Sequence, residues 1–183
     1  PLLSMSGERS SRRTTLPPIR FFEYLYPMKI VRRSNQEELL ELFKREIETV
    51  KQKKQEKLIH IALAGGRSMG VAVRAILAQD TNTQDRMRFY LVDERLEGDK
   101  NKDTLLHEGL TRPIAIPELG KPLSKEPFDL VFLGIGEDGH FASLFPGTYT
   151  ENGKEEQVLL VEDSPKPPAR RTTLSYRGFR TLA

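Results

Sequence analysis

Cysteine is absent from all 183 residues of the chain, and histidine occurs only three times. Without cysteine the protein can form neither disulfides nor thiolate metal sites. This composition suits a reducing compartment, and we predict a cytoplasmic protein. No apolar run approaches the roughly 18 residues that a membrane-spanning helix needs, so we expect no membrane segment.

A strong charge of either sign is also missing. The 29 lysine and arginine residues only slightly exceed the 26 acidic residues, which gives a formal net charge of +3. Such a small surplus does not indicate nucleic acid, and we expect no nucleic-acid partner. A few cations gathered in one cleft would suit a small phosphorylated substrate, and the alternative is a mixed, solvated surface.

The remaining composition is that of a globular protein. Apolar residues make up 37% and charged residues 30% of a length that suffices for one α/β domain. Residues 1–27 are rich in Ser, Arg and Pro and show no clear periodicity. We expect an extension of uncertain structure there, followed by one domain over residues 28–183. The Arg-rich, acid-poor start would also fit an organelle transit peptide.

Apolar periodicity predicts alternating helices and strands. Ser34-Asn35-Gln36-Glu37 forms a capping box that opens an amphipathic helix reaching about Lys51. We predict further helices over residues 68–77 and 103–110, and strands over residues 58–64, 87–92, 128–133 and 158–161. Strands that alternate with helices predict an α/β fold whose parallel sheet is covered on both faces.

Residues 128–147, FDLVFLGIGEDGHFASLFPG, carry the most information. A buried strand runs into a glycine-rich turn, and the turn brings His140 to the strand end where open α/β sheets bind ligands. A histidine titrates near pH 6.5, so this side chain could act as a base near neutral pH. The alternative is a histidine that only caps the turn through backbone hydrogen bonds. Asp138 could orient the imidazole, as carboxylates do in catalytic triads, or serve as an Asx-turn residue.

Three glycines in this segment resemble a different kind of site. Gly134, Gly136 and Gly139 match the first half of a dinucleotide-binding fingerprint. Such a site needs a full helix next, and Pro146 with Gly147 stops any helix within two turns. We therefore expect no dinucleotide and no other cofactor.

A second candidate site follows the first predicted strand. Gly65 and Gly66 precede a helix whose first backbone amides have no partner within the helix, which is the geometry of an anion site. Ser68 could cap this helix, donate to a phosphate, or do both. Arg67 adds a guanidinium group, which can donate two parallel hydrogen bonds to a phosphate.

Two more polar groups lie close to predicted strand ends or turns. Asp93-Glu94-Arg95 follows the second strand. The acidic stretch that comes next in the sequence has neither the glycine nor the closing glutamate of a calcium-binding loop, so we expect no metal. Lys166 lies in Ser164-Pro165-Lys166-Pro167-Pro168, where the stiff backbone could aim the ammonium. The alternative for that segment is an exposed, basic, proline-rich linker.

Four blocks of the chain together resemble the 6-phosphogluconolactonase family, relatives of the glucosamine-6-phosphate deaminases. They are IALAGGRSMG, LVDER, LGIGEDGHFASLFPG and DSPKPPARRTTL, which begin at residues 61, 91, 133 and 163. The deaminases typically carry Asp-Glu-Tyr and Phe-Asn-Glu-Pro, where this chain has Asp93-Glu94-Arg95 and Ala142-Ser143-Leu144-Phe145-Pro146. Both differences favour the lactonase branch.

The resemblance implies a three-layer α/β/α fold with a mainly parallel, Rossmann-like sheet (NagB/RpiA/CoA-transferase-like). It implies hydrolysis of 6-phospho-D-glucono-1,5-lactone in the oxidative pentose phosphate pathway (EC 3.1.1.31), with His140 as the base. It also implies that Arg95 lines the cleft, with Asp93 and Glu94 positioning Arg95 or the sugar hydroxyls. Lys166 and Arg171 would complete a cationic site that binds the phosphate. The alternatives are a glucosamine-6-phosphate deaminase or isomerase, and a non-catalytic module that binds sugar phosphates.

The chain departs from the family pattern in three places. Ala64 and Met69 replace a common Ser and a Pro around the glycine loop, and residues 96–104 lack the usual Val-Pro. The chain also ends at Ala183, soon after a predicted helix begins, whereas the family continues further. We therefore expect the C-terminal part of the fold to be missing.

Overall fold

The computed structural model describes residues 30–66, 68–147 and 156–183. Residues 33–183 form one compact unit. The predicted extension over residues 1–27 lies outside the described residues, so the division of the chain at residue 28 stays a prediction.

The first helix, α1, covers Gln36–Lys54 and extends slightly beyond its predicted end. Its N-cap is Asn35, whose side chain accepts a 2.9 Å hydrogen bond from the backbone amide of Glu38. The Glu38 carboxylate in turn accepts from the hydroxyl of Ser34 at 2.9 Å. The helix therefore begins one residue later than the predicted capping box implies, with the side-chain oxygen of Asn35 rather than the hydroxyl of Ser34 as its cap.

A four-stranded parallel sheet forms the centre of the fold, as the alternation of strands and helices predicts. Its strands are β1 (Ile59–Leu63), β2 (Met87–Leu91), β4 (Ile114–Ala115) and β5 (Leu130–Phe132), in the order β4-β2-β1-β5. Helices α2 (Met69–Leu77) and α3 (Thr81–Arg86) connect β1 to β2. This α/β architecture confirms the predicted fold class.

Both faces of the central strand are covered at its carboxyl half. Ile61, Ala62 and Leu63 are successive and fully buried, and successive side chains of a strand point to opposite faces. Helix α1 packs against α2, and the inner face of α2 buries Val73 and Ile76 completely. This packing fixes the glycine loop after β1 at the carboxyl edge of the sheet.

A second, antiparallel sheet was not predicted. It contains β3 (Asp93–Arg95), β6 (Val158–Val161) and β7 (Arg171–Leu174), in the order β3-β7-β6. The prediction for β6 is confirmed, whereas Asp93-Glu94-Arg95 is not merely the end of β2 but a strand of its own. The register pairs Arg95 with Arg171, so two arginine-bearing strands lie side by side.

The other helices are short. Helix α4 covers Asn101–His107, two residues earlier than predicted at its start, and α5 covers Tyr176–Leu182 with Ser175 as its N-cap. Helix α3 was not predicted and begins at the Asp80 cap, whose carboxylate accepts from the amide of Thr83 at 2.9 Å. Within the described residues, every helix is too short or too polar to cross a membrane.

Candidate active site

A cleft of about 430 Å³ opens at the carboxyl edge of the parallel sheet. The loops that follow β1 and β5 form two of its walls, and the paired strands β3 and β7 form another. This is the edge where open α/β sheets bind ligands. The residues that line it are Ala64, Gly65, Gly66, Ser68, Asp93, Arg95, Asn101, Gly134, Ile135, Gly136, His140, Ala142 and Arg171.

The turn after β5 presents His140 to this cleft without any helix. The backbone amide of Gly136 donates to the carbonyl of His140 at 2.8 Å, and the amide of Gly139 donates to the carbonyl of Gly136 at 2.9 Å. The imidazole lies so close to Gly136 that a Cβ there would approach its Cε1 to 2.1 Å. A residue without a side chain is therefore required at position 136 for the imidazole to occupy this place.

Two neighbours hold the His140 imidazole in place. Its Nδ1 atom makes a very short contact with Oδ1 of Asp138, and its ring stacks on Phe145 with centroids 4.7 Å apart. Its Nε2 atom makes no hydrogen bond within the described residues. Because a carboxylate oxygen only accepts, the contact with Asp138 places a proton on Nδ1, so in the neutral imidazole Nε2 carries the lone pair.

Asp138 is shared by two partners. The hydrogen bond from His140 is the largest cause that holds the pKa of Asp138 well below its usual range, and Lys166 adds to the effect. The Lys166 ammonium lies 3.1 Å from Oδ2 of Asp138 and 3.3 Å from Nδ1 of His140. Lys166 therefore contacts the histidine–aspartate pair, beside the cleft lining rather than within it.

The glycine loop after β1 lies against the start of α2. Ser68 occupies the N-cap position, but its hydroxyl makes no capping hydrogen bond to the helix. Ser68 is therefore the N-cap residue, as predicted, but without a capping bond from its hydroxyl, and donation to a ligand stays a prediction. Arg67, predicted as a phosphate fork, lies outside the described residues.

Asp93 lines the cleft although it is almost fully buried. Its Oδ2 atom accepts a 2.7 Å hydrogen bond from the hydroxyl of Ser143, while its Oδ1 atom is buried without a partner within the described residues. Burial raises the pKa of the Asp93 carboxyl, whereas Ser143 and the nearby Arg171 oppose that rise. Asp93 therefore contributes to the cleft as a buried carboxyl that is held mainly through Oδ2.

Glu94 has a purely internal role. Its carboxylate accepts from the amides of Arg95 and Asn101, both at 2.7 Å, and from the amide of Lys102 at 2.9 Å. A carboxylate at a helix N-terminus satisfies amides that lack partners within the helix. Glu94 thus anchors α4 and both ends of the loop over residues 96–100.

Arg95 and Arg171 bring two guanidinium groups to the cleft. Arg95 donates from Nη1 to the carbonyl of Asp99 at 3.0 Å. Arg171 donates from Nε to the carbonyl of Pro168 at 3.0 Å and from Nη2 to that of Lys166 at 2.8 Å. Burial lowers the pKa of Arg171, and the charge of Asp93 opposes this. Arg171 therefore holds the proline-rich segment in place, and its Nη1 has no hydrogen bond within the described residues.

Asn101 is a cleft residue that sequence reasoning missed. It is buried, its Nδ2 donates to the carbonyl of Asp93 at 3.0 Å, and its side chain lies directly over Gly65. A Cβ at position 65 would come within 2.0 Å of the Asn101 amide carbon. The atypical loop over residues 96–104 therefore still contributes one side chain to the cleft.

Comparisons with known proteins agree with this geometry. The family model described as glucosamine-6-phosphate isomerases/6-phosphogluconolactonase matches residues 108–181, which include the histidine turn and β7. A 6-phosphogluconolactonase of Thermotoga maritima is 31% identical over 147 residues, covering 67% of this chain and 65% of that protein. The chain belongs to the glucosamine-6-phosphate isomerase/6-phosphogluconolactonase family. A probable 6-phosphogluconolactonase 5 of Arabidopsis thaliana is 41% identical over 94 residues, or 48% of this chain.

The chain spans only part of these relatives, 36% of the Arabidopsis protein and 65% of the Thermotoga protein. A crystal structure of 6-phosphogluconolactonase from Thermotoga maritima superposes with a TM-score of 0.62 at 22% identity, over 81% of this chain and 77% of that one. This likeness supports the shared fold. A second family model, described as CRISPR-associated protein NE0113, matches residues 28–131, which end within β5 and leave out the histidine turn.

Most residues expected to form the site in this family converge at the cleft. Seven of the expected residues line it directly: Gly65, Gly66, Ser68, Asp93, Arg95, His140 and Arg171. Asp138 and Lys166 lie against His140, one contact behind the lining. Within the described residues, no group of three or more His, Asp or Glu side chains could hold a metal ion.

Proposed function

We propose that this protein hydrolyses 6-phospho-D-glucono-1,5-lactone to 6-phosphogluconate, a reaction of the oxidative pentose phosphate pathway (EC 3.1.1.31). The observation that carries the proposal is the histidine at the cleft, whose Nδ1 is engaged by Asp138 while Nε2 makes no hydrogen bond within the described residues. Family membership supports the same activity, because the relatives named above are lactonases.

The proposed reaction needs one base and no cofactor. Nε2 of His140 takes a proton from water, and the resulting hydroxide adds to the lactone carbonyl carbon. The tetrahedral intermediate then collapses, the bond from that carbon to the ring oxygen breaks, and the imidazolium returns its proton to the departing alkoxide. The product acid finally releases a proton to solvent as the carboxylate forms. Asp138 stabilises the transient imidazolium through Nδ1.

The cleft suits a phosphorylated, polyhydroxylated ligand. Arg95 and Arg171 offer guanidinium groups, and the loop of Gly65 and Gly66 lets the backbone at the start of α2 approach an anion closely. Asp93 adds a carboxyl group to the lining, and such a group can accept from a sugar hydroxyl. Phosphate binding by Arg67 and Lys166, a cytoplasmic location, and the absence of nucleic-acid and membrane partners all stay predictions.

The test is the rate of lactone opening by the 183-residue chain above the spontaneous rate. We expect His140→Ala to lower this rate by about 100- to 10,000-fold, the usual contribution of a general base. Binding of 6-phosphogluconate, measured by calorimetry, should change little. His107→Ala is the matched control, because that histidine is exposed on α4 and does not line the cleft. Equal rates for wild type and His140→Ala would refute the proposal.

A second function is favoured by the family description, which also names glucosamine-6-phosphate isomerases. Release of ammonia from glucosamine 6-phosphate, without lactone opening, would assign the cleft to that reaction. Tight binding of 6-phosphogluconate without either turnover would identify a non-catalytic binding module.

A further inference from the structure

Three charged or titratable side chains meet beside the cleft. Oδ1 of Asp138 contacts Nδ1 of His140, and Oδ2 of the same carboxylate lies 3.1 Å from the ammonium of Lys166. Lys166 reaches this place from the proline-rich segment before β7, and its Nζ also lies 3.3 Å from Nδ1 of His140. The carboxylate is thus held at both oxygens by groups from two separate loops.

The donors and acceptors among these groups determine which atom carries the proton in the contact between Asp138 and His140. A carboxylate oxygen can only accept, and an ammonium can only donate. The close contact between Asp138 and Nδ1 therefore requires a proton on Nδ1. Nδ1 then has no lone pair for Lys166, so the ammonium donates to Oδ2 of Asp138 instead.

Asp138 depends on this second partner because it is not enclosed by protein. Its side chain is 41% exposed, and Lys166 is 46% exposed. A carboxylate in contact with water can rotate away from the imidazole, and a bond at Oδ2 restrains that rotation.

Other charged groups that line the cleft with His140 come from β3 and β7. The Arg171 guanidinium carbon lies 5.7 Å from the centre of the Phe145 ring, and that ring stacks on His140. Asp93 and Arg95 line the same cleft from β3. Among these groups, Lys166 is the one that contacts both members of the histidine–aspartate pair.

We propose that Lys166 is a positioning residue for the His140 base, fixing Asp138 so that the imidazole keeps its proton on Nδ1 and its lone pair on Nε2. This inference rests on the proposed lactonase function, and it gives Lys166 a role other than gripping the phosphate. The cleft lining supports the distinction, because it includes Arg95 and Arg171 but not Lys166 among the described residues.

The kinetic test compares two lactones, 6-phosphoglucono-1,5-lactone and glucono-1,5-lactone, which has no phosphate. We expect Lys166→Met to lower kcat on the order of tenfold for the phosphorylated lactone with little change in KM, and to lower turnover of the other lactone by the same factor. Lys166→Arg keeps a cation that can bond a carboxylate, so it should restore most of kcat. Lys44→Met removes a comparable ion-paired lysine from α1 and serves as the matched control. A higher KM for the phosphorylated lactone alone would overturn the proposal and restore the phosphate role.

A second readout does not depend on turnover. The ¹⁵N shifts of the imidazole nitrogens report which ring nitrogen carries the proton, and His140→Ala identifies the signals of His140 among the three histidines. We expect the Nδ1-protonated form in wild type and in Lys166→Arg, and a mixture of both forms in Lys166→Met. The same form in all three proteins would overturn the proposal. If the chain opens no lactone but the Lys166→Met mixture is observed, the proposed function fails while the positioning role stands.

Discussion

The hydroxyl of Ser143 donates a 2.7 Å hydrogen bond to Oδ2 of Asp93, and both residues are buried. This bond joins the turn that carries His140 to the strand that carries Arg95. The backbone amide of Ser143 also donates to the hydroxyl of Thr173 on β7 at 3.3 Å. Ser143 therefore fixes the histidine turn to two strands of the antiparallel sheet at once.

Removing this hydroxyl should cost stability. Ser143→Ala leaves both oxygens of the buried Asp93 carboxylate without a hydrogen bond from any described residue, and such a loss typically costs about 1–3 kcal/mol. Urea unfolding followed by circular dichroism would measure the loss. Thr49→Ala on the exposed face of α1 removes a hydroxyl that bonds only a carbonyl of its own helix, so it should change stability much less. A loss no larger than that of Thr49→Ala would contradict the assigned bond.

The burial of Asp93 should appear in the pH dependence of stability. Burial raises the pKa of this carboxyl above its ordinary value of 3.8, so the folded state binds the proton more tightly than the unfolded state. The resulting stability is fully present below the ordinary value and is lost as pH rises through the raised pKa. Asp93→Asn should therefore gain stability relative to wild type as pH rises from about 4 towards neutrality. Unfolding free energies measured across that range would check the sign, and parallel curves for the two proteins would refute it.

The close approach of Gly136 to the imidazole predicts a large effect on turnover. Gly136→Ala places a methyl group where Cε1 of His140 lies 2.1 Å away, so the ring must move. Displacement of a catalytic group by about 1 Å can cost on the order of 100-fold in rate, and we expect at least that loss in lactone opening. Glu137→Ala, an exposed position on the same turn, should leave the rate close to wild type. An active Gly136→Ala protein would show that the ring is not confined as described.

The contact between Gly65 and Asn101 can be tested by a double-mutant cycle. Gly65→Ala brings its methyl group within 2.0 Å of the Asn101 side chain, and overpacking of this kind costs about 1–3 kcal/mol. In the Asn101→Ala background the obstructing amide is gone, so the same substitution should cost much less. Urea unfolding of the four proteins would give the coupling. Equal costs in both backgrounds would place Asn101 away from Gly65.

The parallel sheet was predictable because its strands are short apolar runs, and their alternation with helices indicates only a few topologies. The strand β7 could not be found in this way. Arg171, Thr172 and Thr173 are all buried, yet none of them is apolar. Their burial depends on partners far away in the sequence, such as the amide of Ser143. The periodicity of a single sequence does not reveal such partners.

The candidate site was predictable where its residues are close together in sequence. His140 and Asp138 are two residues apart, so one turn determines their contact. Asn101 was missed because its place over Gly65 depends on α4 beginning earlier than predicted and on the Glu94 carboxylate that holds its amide. The contact of Lys166 with Asp138 likewise needs two loops to meet, which no local pattern records.

The Glu94 carboxylate accepts from the backbone amides of Asn101 and Lys102. The position of these two residues therefore does not depend on the length of the loop over residues 96–100. Both ends of that loop are fixed at one carboxylate, so residues can be inserted or deleted between them while Asn101 keeps its position. The length of this loop can therefore change in evolution or in design while the Asn101 side chain stays over Gly65 in the cleft.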